Sequence, residues 1–319
     1  MRRISVLMSA LAISLACATA HGEEVIKIIV PFAAGGPVDS MARLMANEMG
    51  HILGKTVIVD DRGGAGGVIG TDLVSRASAD GNTLLMASLG SHVISAVVQP
   101  NVKYDPVKSF DPIAMVGSSP TLLVTYPDMP AKDFKSLIAL AQSKQLTYGS
   151  AGPGSTMNLA GELINAGAHI SIQQVPYRGV APALPDLMGG RLDMLPADPP
   201  VLLPLIAQNK VRPLVVLGKE RLSALPDVPT STELGYPTVI MENWYGLLAP
   251  AGLPADVGAS LQKAALQAIN SPKVQAHMKN GQLSGTLGSA DFKARIEQDT
   301  AFWREMIPKL GITIGGEAK

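Results

Sequence analysis

The sequence predicts an α/β protein of two lobes joined by two crossing strands, and three observations lead there. Short apolar runs rich in Val, Ile and Leu alternate with helical stretches along nearly the whole chain, the pattern of a parallel sheet covered by helices on both faces. The alternation falls into two sets, with chain crossings near residues 120 and 225, and 319 residues suffice for a core in each. Each set also carries a glycine-rich turn between a strand and a helix. The first is Pro31-Phe32-Ala33-Ala34-Gly35-Gly36-Pro37, the second Gly149-Ser150-Ala151-Gly152-Pro153-Gly154-Ser155-Thr156.

At the N-terminus, Arg2 and Arg3 precede an apolar run over 4–16, and Ala18-Thr19-Ala20 is a small-residue cleavage pattern, so 1–20 reads as an export signal. That run is too short for a permanent membrane helix. Cys17 keeps a lipoprotein anchor open as a second reading, although Ser14 stands where a lipoprotein signal usually carries Leu. Strands are then predicted over 25–32, 56–60 and 83–87, with helices over 37–49, 68–77 and 93–98. The helix over 37–49 places Met41, Leu44, Met45 and Met49 on one face and starts with Pro37, whose fixed φ and missing N–H suit a first helical position.

The stretch 112–127 reads as a strand pair. After it come helices over 134–143, 156–166, 181–188 and 201–208, alternating with strands over 146–150, 172–177, 193–197 and 211–217. A loop over 226–237 leads to a strand over 239–248 and helices over 255–270, 272–279 and 290–310, which can pack back on the first sheet. The lobes are therefore expected at 21–120 with 225–319, and at 121–224, with a hinge at the two crossings.

Ligands of open α/β sheets sit beyond the carboxyl ends of the strands, where both glycine-rich turns fall. Each turn aims unpaired N–H groups and the positive end of a helix dipole at one spot, so each can hold an anion. Composition removes other classes. Acidic and basic residues balance at 26 each, aromatics are 4% and no basic block occurs, so nucleic acid has neither phosphate contacts nor stacking surfaces to meet. With 47% hydrophobic and 16% charged residues the chain is globular.

Enzyme motifs fail on single residues. A dinucleotide turn from Gly64 and Gly66 needs Gly where Ile69 stands, and Gly152 to Thr156 lacks the Lys of a phosphate loop. His51, His92, His169 and His277 are scattered, with no metal-ligand spacing among them. No catalytic residue, metal or cofactor is assigned. Convergence of those histidines in space leaves an exported hydrolase or metal binder as the rival reading.

A set of short motifs, in order, carries a resemblance. It comprises Val30-Pro31-Phe32 with Gly35, Gly36 and Asp39; the run Arg62 to Gly70 with Asp80-Gly81; Tyr104-Asp105-Pro106; and the second turn with Leu159-Ala160-Gly161-Glu162. It continues with Val175-Pro176-Tyr177-Arg178-Gly179, Pro226-Asp227-Val228-Pro229-Thr230, and Trp244-Tyr245-Gly246 with Ala249-Pro250-Ala251-Gly252. Through these the chain resembles the Bug-type extracytoplasmic solute receptors of tripartite tricarboxylate transporters, a branch of the periplasmic binding proteins.

The resemblance implies a type II periplasmic binding protein-like clamp: a monomer that captures a small carboxylate in the periplasm and delivers it to membrane permease subunits. A periplasmic sensor for a signalling receptor would use the same clamp. It also implies that Phe32, Ala33 and Gly36 grip the ligand from one side and Ser150, Gly154, Ser155 and Thr156 from the other, and that Asp39 meets polar ligand groups. Ala34, Asp61, Gly63, Asn158 and Gln174 depart from the family's commoner residues, which weakens transfer of ligand identity.

Several candidates also have a plainer reading. Asp39 in a first helical turn can be a cap, as can Ser155 before Thr156. Ser88 and Ser91 follow the third strand and suit a turn as well as a ligand. Asp198 ends a strand and can reach the cleft, while Pro199-Pro200 equally suits a structural turn. Asn158 completes the ligand-facing set. Arg178 and Trp244 are expected at the rim and in the core rather than on the ligand.

Overall fold

The computed structural model describes residues 25–312. The expected export signal and Cys17 lie outside the described residues. Strand β1 (Val25–Val30) pairs in parallel with β2 (Thr56–Asp61) on one side and β3 (Thr83–Ser88) on the other. Between β1 and β2 runs α1 (Pro37–Leu53), whose Val38, Met41, Ala42, Met45 and Met49 are buried against the sheet. Burying each of the Val and Met side chains stabilises the fold by about 2 kcal/mol. Gly54 at φ 62° ends the helix, its N–H donating to the Gly50 carbonyl. After α2 (Val68–Ser75) and β3, the helix expected over 93–98 begins earlier, as a π-helical turn over Gly90–Ile94 that runs into α3 (Ser95–Val98).

The strand pair expected over 112–127 is one strand, β4 (Phe110–Thr125), 16 residues long. Gly117-Ser118-Ser119-Pro120 reads as a break, yet Pro120 stands where β4 leaves one sheet for the other, and register shifts near Pro112 and Met115 bend the strand. Up to Pro120 it pairs antiparallel with β9 (Glu242–Pro250); from Thr121 it pairs with two strands of the second sheet. Because β9 is also antiparallel to β3, the first sheet is mixed rather than all-parallel, in the order β2-β1-β3-β9-β4.

The second lobe holds α4 (Phe134–Ser143), β5 (Thr147–Ser150), α5 (Thr156–Ala168), β6 (Gln173–Pro176), α6 (Val180–Met188), β7 (Met194–Ala197), α7 (Pro199–Ala207) and β8 (Arg212–Leu217). Its sheet runs β4-β7-β5-β6, with β8 on the other edge of β4. The return crossing, expected near 225, falls at Met241–Glu242. Ser231 N–H donates to Val216 O at 2.8 Å and Met241 N–H to Leu217 O at 3.0 Å, so the intervening chain stays on the second sheet.

Past β9, α8 (Ala255–Ile269) packs beside α1 and is followed by α9 (Pro272–Asn280), β10 (Leu287–Gly288) and α10 (Ser289–Lys309). As expected, α10 returns to the first sheet. Its Phe292 meets Trp244 edge-on with ring centroids 5.0 Å apart, and the Trp244 indole N–H donates to Asp299. Trp244 is fully buried, a core residue. One apolar cluster runs unbroken from Leu85 and Trp244 in the first lobe to Leu123, Tyr148 and Leu163 in the second.

Candidate ligand cleft

Gly35, at φ 82°, turns the chain from β1 into α1. Its N–H donates to Asp39 Oδ2 at 2.8 Å, while Asp39 Oδ1 pairs with Arg43 at 2.7 Å. The carboxylate thus bends back to fix the turn that precedes it, as an acid in a first helical turn can. The second turn holds itself the same way. Gly152 and Gly154 take positive φ, Ser155 Oγ donates to Gly152 O at 2.8 Å and accepts from Asn158 N–H, and Asn158 Oδ1 accepts from Gly154 N–H at 3.0 Å. Ser150 Oγ accepts from Gly152 N–H at 3.0 Å, and Ser91 Oγ accepts from Ser88 N–H at 3.1 Å.

Between these turns lies a cleft of about 450 Å³, its open mouth included. Of the residues expected on the ligand, Phe32, Ala33, Gly36, Ser88, Ser155, Thr156 and Asp198 line it. Asp39, Ser91, Ser150, Gly154 and Asn158 stand behind the wall, their polar groups spent on the loops themselves. Val38, Ala151, Met157, Val180, Ala197 and Asn243 also line the cleft and were not foreseen. Val180 and Ala197 obey the same strand-end rule that singled out Asp198. Asn243 had a subtler sign, a lone amide inside the apolar run of β9.

Four helices begin at this cleft: α1 after Gly36, α5 after Ser155, α6 after Gly179 and α7 after Asp198. The starts of α1, α5 and α6 carry unpaired N–H groups and about half a positive charge, whereas α7 opens on Pro199-Pro200 with Val201 N–H donating to Asp198 O, so it contributes its dipole without a free donor. No Lys or Arg is among the lining residues, and Asp198 is the one acid there. Asp198 is 6% exposed and accepts at Oδ2 from Asn243 Nδ2 at 2.6 Å and from the Tyr245 hydroxyl, both on β9. Burial pushes its carboxyl above the usual range, against the pull of those two donors and of the Thr121 hydroxyl. Arg178 is exposed at the rim and contributes only its carbonyl, which accepts from Ala33 N–H at 3.0 Å across the cleft.

The lobes also touch on the far side. Gln99 Nε2 donates to Pro153 O at 2.7 Å, and a Cβ on Gly90 would lie 2.4 Å from Thr156 N. Contacts therefore bridge the lobes on both flanks of the cleft.

Two α/β lobes joined through β4 and β9 around a cleft with backbone donors define the class, a solute-binding receptor of the periplasmic binding protein fold. Within that class, the chain belongs to the tripartite tricarboxylate transporter family of receptors, whose model matches residues 41–312. It is 34% identical to BugT of Bordetella pertussis over 252 residues, 78% of this chain and 77% of that protein. MatC from Rhodopseudomonas palustris, solved with bound malate, matches with a TM-score of 0.84 at 30% identity, over 89% of this chain and 98% of its own. A second R. palustris protein, Rpa4515 with adipate, matches at 0.86 and 29% identity, over 92% and 99%. The family and these neighbours are binding proteins.

Proposed function

We propose that the protein is a periplasmic receptor that closes on one small carboxylate and hands it, as a monomer, to the membrane subunits of a tripartite tricarboxylate-type transporter. The observation that carries this reading is the convergence of four helix N-termini on a cleft without a basic side chain among its lining residues. Such a site offsets anion desolvation with hydrogen bonds and helix dipoles rather than with basic side chains. Malate and adipate in the two neighbours support the ligand class, and the expected export signal supports the location.

In this reading Phe32, Ala33 and Gly36 face the ligand from the first lobe and Ser155 and Thr156 from the second. Ser150, Gly154, Asn158, Asp39 and Ser91 hold those walls in place. The lobes separate to admit the ligand and close around it, and the closed form is the one the permease receives.

The test is a thermal-shift screen of protein stripped of ligand by one unfolding and refolding cycle, against small di- and tricarboxylates, acidic amino acids, aromatic carboxylates, NAD and ATP. A true ligand at about 100 times its Kd adds roughly 2.7 kcal/mol, a shift of several degrees. A shift with nucleotides alone, or with no carboxylate, overturns the reading.

A further inference from the structure

The floor of the cleft is built from acceptors. Asp198 occupies the position before α7 where an acid ordinarily caps the helix, yet its side chain makes no capping bond. Asn243 Nδ2 and the Tyr245 hydroxyl both donate to Oδ2, the buried Thr121 hydroxyl also stabilises the carboxylate, and no direct hydrogen bond to Oδ1 is made among the described residues. Asn243 is 2% exposed and has the same imbalance. Its Nδ2 is committed to Asp198, which fixes the amide orientation, and its Oδ1 is buried with no partner. Both side chains line the cleft. A buried acceptor without a donor costs stability, so the arrangement calls for a donor supplied from the cleft.

We propose that Asp198 and Asn243 select a ligand that carries an ammonium group beside its carboxylate, an amino dicarboxylate or a related amino acid. The inference rests on the receptor reading above and assigns the ligand class within it. An ammonium offers three donors and a positive charge, enough for Asp198 Oδ1 and Asn243 Oδ1 together, and it pairs the buried acid. A hydroxyl offers one donor and leaves that charge unpaired. The carboxylates of the same ligand point to the helix N-termini, so the two ends of a zwitterion meet opposite fields across one cleft. Malate and adipate carry no ammonium, so this floor would separate the receptor from neighbours that share its fold.

Calorimetric titration of the stripped protein with matched sets decides it: aspartate, malate and succinate, then glutamate, 2-hydroxyglutarate and glutarate. The expected result is that an amino member binds at least about tenfold tighter than its hydroxy and unsubstituted counterparts, as loss of a charge-assisted hydrogen bond implies. Asp198→Asn keeps an acceptor for Tyr245 and Asn243 and should erase that preference, bringing the amino, hydroxy and unsubstituted members to within a few-fold of one another. Equal or tighter binding of malate or succinate by the unaltered protein overturns the proposal while leaving the receptor intact. So does a preference for the amine that survives Asp198→Asn. Binding of no member of either set overturns this proposal, and the receptor reading is then decided by the wider carboxylate screen above.

Discussion

His92 has no part in the cleft, yet it makes the protein's stability depend on pH. It is fully buried, stacked with Tyr104 and edge-on to Phe110 and Trp244, with Nε2 donating to Pro106 O at 2.8 Å and Nδ1 unpartnered. Burial brings its pKa down to about 4, so the folded protein keeps the ring neutral while the unfolded chain protonates near 6.5. The unfolded state therefore binds more protons between those values, and stability falls as pH drops through that window by about 3 kcal/mol in total. His92→Gln removes the titration and keeps an amide donor for Pro106. Its melting temperature, followed from pH 7 to pH 4, should fall less steeply than that of the unaltered protein; parallel curves would refute the assignment.

Residues of the cleft show where sequence reasoning stops. Asp39, Asn158 and Ser155 carry the polar groups a ligand site needs, and their spacing around the glycines was legible. Whether such a group faces the ligand or its own loop depends on the last hydrogen bond of the loop, which no local pattern encodes. Asp198 shows the reverse, a residue equally suited to a turn that the fold turns toward the cleft.

At the level of elements, alternation of strands and helices could be read because it is local: a strand such as β1 or a helix such as α1 shows its buried face in its own periodicity. Pairing is not local. Nothing in Gly117 to Pro120 says that β4 continues through it, because the partner that rescues the strand, β9, is more than a hundred residues away. The glycines between the lobes are another non-local feature. Gly90 has no positive φ to explain it; it leaves room for the start of α5 when the lobes meet. Gly90→Ala should fold normally and bind ligand about a hundredfold more weakly, since a closed state held to about 1% of the population lowers apparent affinity by that factor. Small-angle scattering should show the variant remaining extended at ligand concentrations that compact the unaltered protein. Unchanged affinity would mean that the contact between Gly90 and Thr156 is dispensable.

The whole molecule has two lobes but not two independent units. β4 is a ladder partner in both sheets, and one apolar cluster passes from Trp244 through Leu123 to Tyr148 without a gap. Cutting the chain into lobes would leave each half with an open sheet edge and a sliced core. Calorimetry of the ligand-free protein should therefore show a single unfolding transition, with calorimetric and van't Hoff enthalpies in agreement; two resolved transitions would show that the lobes melt separately. In a receptor the same continuity has a use beyond strength. A chain that melts as one body feels, in every part, a ligand that touches only its cleft, so occupancy protects the distant helices α8 and α10 from proteases as fully as the turns that hold the solute.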